Sequence, residues 1–307
     1  MSSDKKLIVL QGPTASGKTE LAIALAQQLN CEILSGDSRQ FYNEISIGTA
    51  KPSPEEINSA PHHFINSHSI ENPVSAAQFE KEALSVLDKI FENQNFAILV
   101  GGSGLFIDAL CCGLDPLPSD EKVKKEWQAK LEKEGLMSLQ LELMKRDPEY
   151  AEIVDLNNPH RLIRALEINS LSAKTMKQVR TNSRQKRNFE SLRYVIEFPR
   201  KELYKRIDQR VMQMIAKGLV KEVKGVAHFS HLQSMNTVGY KEIFAHLSGE
   251  ISLEEAISQI QQNSRRYAKR QLTWFRRDND NQWLTSTTTQ GRLDEIIEDL
   301  CQKEIIS

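Results

Sequence analysis

The sequence predicts an α/β fold, a P-loop parallel sheet with helices on both faces and a helical insertion domain. Three observations carry that prediction. Leu7–Leu10 is wholly apolar and runs into Gly12-x4-Gly17-Lys18-Thr19, the strand–loop–helix setting of a phosphate-binding loop. Apolar strand-like runs near 31–35 and 96–100 alternate with helical patterns, an order that favours parallel pairing. Residues 119–191 are charged and helical in pattern, punctuated by Pro148 and Pro159.

Residues 7–10 read as a buried strand. The first helix begins at the loop and places Leu21, Leu25 and Leu29 four apart, a stripe that packs on a sheet. A second strand ends near Ser35, before a turn with Asp37. "FAILVGGSGLFIDALCCG" gives a third strand, a Gly-Gly-Ser turn and a helix. "LRYVIEF" at 192–198 returns to strand character. Residues 200–224 are expected to form one amphipathic helix, and 252–277 and 291–304 two more. The domains expected are a catalytic core of 1–118 with 192–307 and an insertion of 119–191. Ligands of such sheets sit beyond the carboxyl ends of the strands, so loop 12–19, Asp37 and Ser103 are expected to line one crevice.

An apolar content of 39% and a charged content of 26% are those of a soluble globular protein. No apolar run approaches the roughly 20 residues of a membrane span. The lead "MSSDKK" carries no apolar secretory segment, and four cysteines without CxxC spacing fit a reduced, cytoplasmic setting. The net charge of -1 hides an uneven distribution. Lys174–Arg210 holds 12 Lys/Arg against 4 acids, and Arg265–Arg277 holds 6 against none. The second run interleaves Tyr267, Trp274 and Phe275 with its cations. That pattern suits a nucleic acid with stackable bases, and equally a solvated helix face.

In the phosphate loop Gly12, Pro13, Thr14, Ala15, Ser16 and Gly17 let the backbone wrap an anion. The helix N-terminus, Lys18 and the Thr19 hydroxyl add partial charge, full charge and a ligand for Mg2+. The third strand ends without the carboxylate that nucleotide hydrolysis usually requires. Asp37 is either a turn residue or a carboxylate facing the loop.

The set as a whole resembles the tRNA dimethylallyltransferases, also called isopentenylpyrophosphate transferases of tRNA. The resemblance rests on "GPTASGKTELA", "GDSRQFY", "IGTAKPSPEE", "PHHFI", "LVGGSGLFIDAL", "DPEYAEIVDLNNPHRLIRALEI", "VGYKE" and "AKRQLTWFRR", and runs to about residue 277. It implies prenyl transfer from dimethylallyl diphosphate to N6 of adenosine 37, beside the anticodon, with Mg2+ as cofactor. ATP binding is then a label of the motif rather than the chemistry. Asp37 matches the family's catalytic aspartate, and Ser103 stands where the family more usually has Thr. Lys18 and Thr19 then join the catalytic set by holding the leaving diphosphate, and Arg206 and Arg210, four apart on one helix face, offer either a further ligand of the diphosphate or a surface ion-pair face. Its tRNA-contacting segments fall on Asp37, Ser38, Arg39 and Gln40, on Ser103 and Lys124, and on His160, Arg161 and Arg164. Towards the C-terminus they fall on Gly239, Tyr240 and Lys241, and on Lys269, Arg270, Gln271, Trp274 and Arg276. The chain departs from the family at Asn158 and His160, where Asp and Gln are frequent.

The family match makes "PHHFINSH" a structural loop rather than a metal site. The zinc-finger tail of eukaryotic members has no counterpart, so a bacterial-type enzyme is expected, acting as a monomer. Two rivals remain at this point, a small-molecule or nucleoside kinase and a nucleotide-gated RNA-binding protein without chemistry.

Overall fold

A computed structural model describes residues 4–180 and 184–306. Met1–Ser3 of the polar lead and Thr181–Ser183 of the basic run lie outside the described residues. Six parallel strands form one sheet in the order β3-β2-β4-β1-β5-β6. They are β1 (Lys6–Gln11), β2 (Glu32–Ser35), β3 (His62–His63), β4 (Phe96–Gly101), β5 (Glu190–Ile196) and β6 (Gln282–Leu284). β1 lies between β4 and β5, with Leu10 opposite both Val100 and Tyr194. Every residue of β1 is buried, as expected of a central strand covered on both faces.

Alternate residues of β1 serve opposite faces. Ile8 and Leu10 join Leu21 and Leu25 of α1 (Lys18–Leu29), and Leu293, Ile296 and Leu300 of α14 (Thr289–Gln302), in one core. Burying each of those leucines stabilises the layer by about 1.5–3 kcal/mol. Leu7 and Val9 are equally buried on the other side. There, α3 (Ala76–Ile90) buries Phe79, Ala83 and Leu87, and α4 (Gly104–Cys112) buries Ile107. Phe79 stacks on Phe41, with ring centroids 5.3 Å apart, and Phe106 of α4 adds a tilted contact at 5.6 Å.

Several expectations shift in detail. The two short edge strands β3 and β6 and the helix α3 are additional elements. The segment expected as one helix over 200–224 is two, α10 (Arg200–Ala216) and α11 (Leu219–Gly225). Gly218 separates them with φ +99°, a backbone conformation that side-chain-bearing residues avoid. Helix α13 spans Leu253–Phe275, with the Ser252 side chain accepting from the Glu255 amide at its start.

The chain divides into two compact units, one of residues up to Cys111 together with those from Arg187, and one of Cys112–Lys186. These limits differ from the expected 119–191, because Glu190 and Ser191 already pair with β1. The second unit is all helical: α5 (Glu121–Glu134), α6 (Leu136–Arg146), α7 (Pro148–Ile153), α8 (Pro159–Ser172) and α9 (Met176–Val179). Its own core holds Trp127, Leu139, Leu143, Leu162, Leu166 and Met176. The fully buried Asp147 accepts from the amides of Tyr150 (3.2 Å) and Met176 (2.6 Å), which ties α7 to α9. Buried Glu167 accepts from Ser119 Oγ, the Asp120 amide and Arg164. Burial opposes its ionisation, but those bonds prevail and hold its carboxyl below the usual range.

Candidate functional site

The carboxyl ends of β1, β2 and β4 meet at a cavity of about 570 Å³ in the first unit. The phosphate loop forms one wall. Ala15 (φ +65°) and Gly17 (φ +82°) turn the backbone, and Gly17 precedes the first helical residue, Lys18. A side chain at Gly12 would strike Ser16 Oγ at 2.8 Å, so the loop closes on itself only with glycine there. Lys18 Nζ donates to the carbonyls of Gly12 (2.9 Å) and Pro13 (2.8 Å). Burial pushes its pKa down to about 7, with Asp37 opposing and Arg210 reinforcing the shift. Enclosed cationic nitrogen beside a helix N-terminus suits a multiply charged phosphate.

β2 and β4 bring the acid and the hydroxyl together. A Cβ on Gly101 would lie 2.6 Å from the Gly36 carbonyl group, so these two strand ends touch backbone to backbone. Ser103 Oγ therefore accepts from the Ser38 amide at 3.2 Å and also contacts Ser38 Oγ at 3.2 Å. Asp37 lines the cavity, and its Oδ1 accepts from the Arg39 amide at 3.0 Å. That bond fixes the carboxylate as a turn residue and leaves its second oxygen without a hydrogen bond among the described residues. The two sequence readings of Asp37 are thus compatible.

Helices α10 and α13 supply the opposite wall with single faces. Ile207, Arg210, Val211 and Met214 lie three, four and seven residues apart, and Ile260, Ser264, Tyr267 and Gln271 follow the same helical spacing. Of the paired arginines, Arg210 faces the cavity. Burial lowers its hold on the charge and Asp37 counters that. Arg206 lies on the outside, donating from Nε to Ala15 O at 2.9 Å and sitting 4.9 Å over Phe198. Tyr267 is a site residue that the sequence reading treated only as a stacking aromatic. Tyr267 lines the cavity, and burial and then Asp37 push its hydroxyl up to about 12, so it stays a proton donor. Its signal was the spacing from Gln271, four residues on and on the same helix face.

The remaining expected contacts divide sharply. Gly239 lines the cavity and Arg39 donates to Ser234 O at 2.9 Å. Gln40 Nε2 donates to the carbonyls of Thr49 and Ala50, each at 3.3 Å, and so shapes the wall around Lys51. Tyr240 is fully buried and donates to Glu222, a core position rather than a surface one. Trp274 donates from Nε1 to Asp108 at 2.8 Å, and Phe275 is buried, so neither is an open stacking platform. Gln271 is buried between two loops. Lys241, Lys269, Arg270 and Arg276 are exposed. Lys124, His160, Arg161 and Arg164 belong to the second unit, where His160 and Arg161 are exposed on the first turn of α8. Lys124 sits 3.5 Å from Glu121, while Arg164 is committed to Glu167 and the Pro118 carbonyl. One expectation about the loop also changes: the amide of Thr14 already donates to Gln271 Oε1.

Among the described residues no cluster of three or more His, Cys, Asp or Glu could hold an ion. His63 pairs with Glu32 and His68 with Glu82. Thr19 lines the cavity, and its hydroxyl has no hydrogen-bond partner among the described residues. One hydroxyl, completed by phosphate oxygens and water, is the sparse protein share that Mg2+ commonly takes.

A glycine-rich loop after β1, facing a carboxylate across a partly apolar chamber, is an arrangement that can hold an anionic group beside a proton acceptor. The chain belongs to the IPP transferase family, whose profile matches residues 40–278. It is 45% identical over 279 residues to tRNA dimethylallyltransferase 1 of Bacteroides thetaiotaomicron, covering 91% of each chain. It is 42% identical over 296 residues to tRNA dimethylallyltransferase of Flavobacterium johnsoniae, covering 94% of this chain and 96% of that one. Among solved structures it is similar to a tRNA isopentenylpyrophosphate transferase from Bacillus halodurans (TM-score 0.72, 36% identity, 97% and 96% coverage). A eukaryotic dimethylallyltransferase acting on tRNA gives a TM-score of 0.77 at 26% identity, covering 97% of this chain and 77% of that one.

Proposed function

We propose that this chain is a bacterial-type tRNA dimethylallyltransferase. It transfers the five-carbon group of dimethylallyl diphosphate to N6 of adenosine 37, beside the anticodon. The observation that carries this reading is one chamber with Lys18 and Arg210 at its cationic end and Asp37 facing both. The relatives' names give the substrates.

The chemistry follows from the residues. The allylic C1–O bond breaks, the diphosphate departs with its electron pair, and the N6 lone pair forms the new C1–N bond. Charge develops on the diphosphate, where Lys18, Arg210 and the loop amides stabilise it. Thr19 would hold Mg2+, which would supply further positive charge against the leaving group. Ile207, Val211, Met214, Val238 and Ile260 give the dimethylallyl tail an apolar wall and keep water from the cation. Asp37 accepts the proton that N6 loses, and Tyr267 and Ser103 are placed to orient the base by hydrogen bonds. The adenosine leaves its stack to reach this depth. The exposed cations of α13 and of α8 in the helical unit suit the phosphates of the anticodon stem-loop. A tRNA substrate, with no helix among the described residues able to cross a membrane, fits a cytoplasmic enzyme.

The test is incubation of the protein with Mg2+, labelled dimethylallyl diphosphate and unmodified tRNA. Label should appear on N6, and Asp37→Ala should slow transfer by about 10²–10⁴-fold while tRNA affinity stays within twofold. Phosphate transfer from ATP to a small acceptor would establish a kinase instead. Retention of full rate by Asp37→Ala would remove that residue from the mechanism.

A further inference from the structure

Gln271 stands on the inward face of α13, only 6% exposed, and both ends of its amide are committed to backbone. Oε1 accepts from the Thr14 amide at 2.9 Å, and Nε2 donates to the Gly102 carbonyl at 2.9 Å. One side chain thus spans from the phosphate loop after β1 to the turn after β4. The fit leaves no slack, because a Cβ on Gly102 would lie 2.1 Å from Nε2.

Phosphate loops hold anions through successive backbone N–H groups that converge on the helix N-terminus. Here the early donors are missing. Pro13 has no N–H, and the Thr14 N–H is already spent on Gln271. The donors left to a ligand begin at Ala15 and run to Thr19, and Gln271 also lines the cavity beside them. A diphosphate needs the inner donors alone. The extra terminal phosphate of a nucleoside triphosphate would look for the outer ones.

We infer that Gln271 sets the capacity of the cradle: by occupying the Thr14 amide and tying the loop to Gly102, it admits a diphosphate and disfavours a triphosphate. Gln271 is then a specificity-determining residue. The inference rests on the diphosphate reading above and deepens it.

The test is calorimetric titration of the full chain with Mg-pyrophosphate and with Mg-ATP. Wild type should bind pyrophosphate more tightly. Gln271→Met frees the Thr14 amide while roughly keeping volume, and Gly102→Ala displaces the Gln271 side-chain amide without substituting any residue of α13. In both, the preference for pyrophosphate over ATP should fall about tenfold, the effect of one hydrogen bond to a charged group. A preference within twofold of wild type in both folded variants overturns the inference. A wild type that binds no pyrophosphate overturns the diphosphate reading, and the inference with it. Should both variants unfold, amide resonances of the wild type decide. Pyrophosphate should move Gly17 and Lys18 and leave Thr14 in place, and an equal shift at Thr14 overturns the assignment.

Discussion

Lys18 has a pKa near 7 because its amine is enclosed, with Arg210 close by. A phosphate in the cradle favours the charged amine, so binding takes up a proton wherever the free amine is neutral. Donor affinity should therefore be greatest below about pH 7 and fall by up to about tenfold per pH unit above it, until the bound-state pKa is passed. Measuring kcat/KM for the prenyl donor from pH 6.5 to 9 checks this. Lys18→Arg, which keeps its charge, should give the flatter profile, and parallel profiles would refute the assignment. The stability effect has the opposite sign. Between about 7 and 10.5 the unfolded chain binds the extra proton, so stability should rise with pH across that window. At the same scale, Ser103→Ala leaves the Ser38 amide and hydroxyl without their partner and should slow transfer by about tenfold. Ser103→Thr should be near neutral, and steady-state rates with saturating tRNA distinguish the two. The loop, Asp37 and Ser103 were legible because each follows a strong apolar strand. Tyr267 was read only as a stacking aromatic and Gln271 only as a tRNA contact, because the cations of their run suggested an outward face, whereas every third or fourth residue of that run points inward.

Two elements hold the wall opposite the cradle. Glu222 on α11 accepts from the amides of Ser46 (2.9 Å), Ile47 (2.8 Å) and Gly48 (3.1 Å), and from the Tyr240 hydroxyl. Glu222→Gln should cost about 2–4 kcal/mol through weakened charge-assisted bonds, read by urea unfolding, and should raise KM more than it lowers kcat. Gly218 is a contrasting case. Nothing lies within 4 Å of a Cβ built there, so Gly218→Ala should cost only the backbone term, about 1–2 kcal/mol. Thermal unfolding should register that loss while kcat stays unchanged. Legibility differs here too. The apolar spacing of α10 runs on past Ala216, so periodicity alone joined it to α11, and only the glycine marked the break. Strands of two and three residues such as β3 and β6 carry no periodicity and are fixed by their neighbours. Helix α3 went unread although it places apolar residues at 79, 83, 87 and 90, because its charged opposite face blends into polar surroundings.

At the scale of the whole molecule, the chain leaves the sheet unit after Cys111 and rejoins it at Arg187. Arg187 donates to the carbonyls of Ala109 and Leu110, at 2.8 and 2.9 Å, so departure and return are adjacent. Replacing 112–186 by a short Gly-Ser linker should leave the remainder folded, with pyrophosphate affinity within twofold of wild type and prenyl transfer to tRNA lost. Circular dichroism, calorimetry and the label-transfer assay together check this, and a truncated chain that still modifies tRNA at full rate would exclude a role for the helical unit. The outline of that unit was legible from its charge and proline punctuation. Its limits were not, because Gly113–Ser119 and Lys186–Phe189 carry no helical or alternating apolar pattern.

The same arrangement has a consequence for how the molecule is made. Strand β1 pairs with β4 on one edge, and its other partner, β5, begins only at Glu190. A ribosome adding about 5–20 residues per second therefore leaves that edge of the nascent sheet bare for some seconds while the helical segment emerges. An unpaired edge on an apolar strand is an invitation to the wrong neighbour, and a co-translational chaperone would find its substrate there.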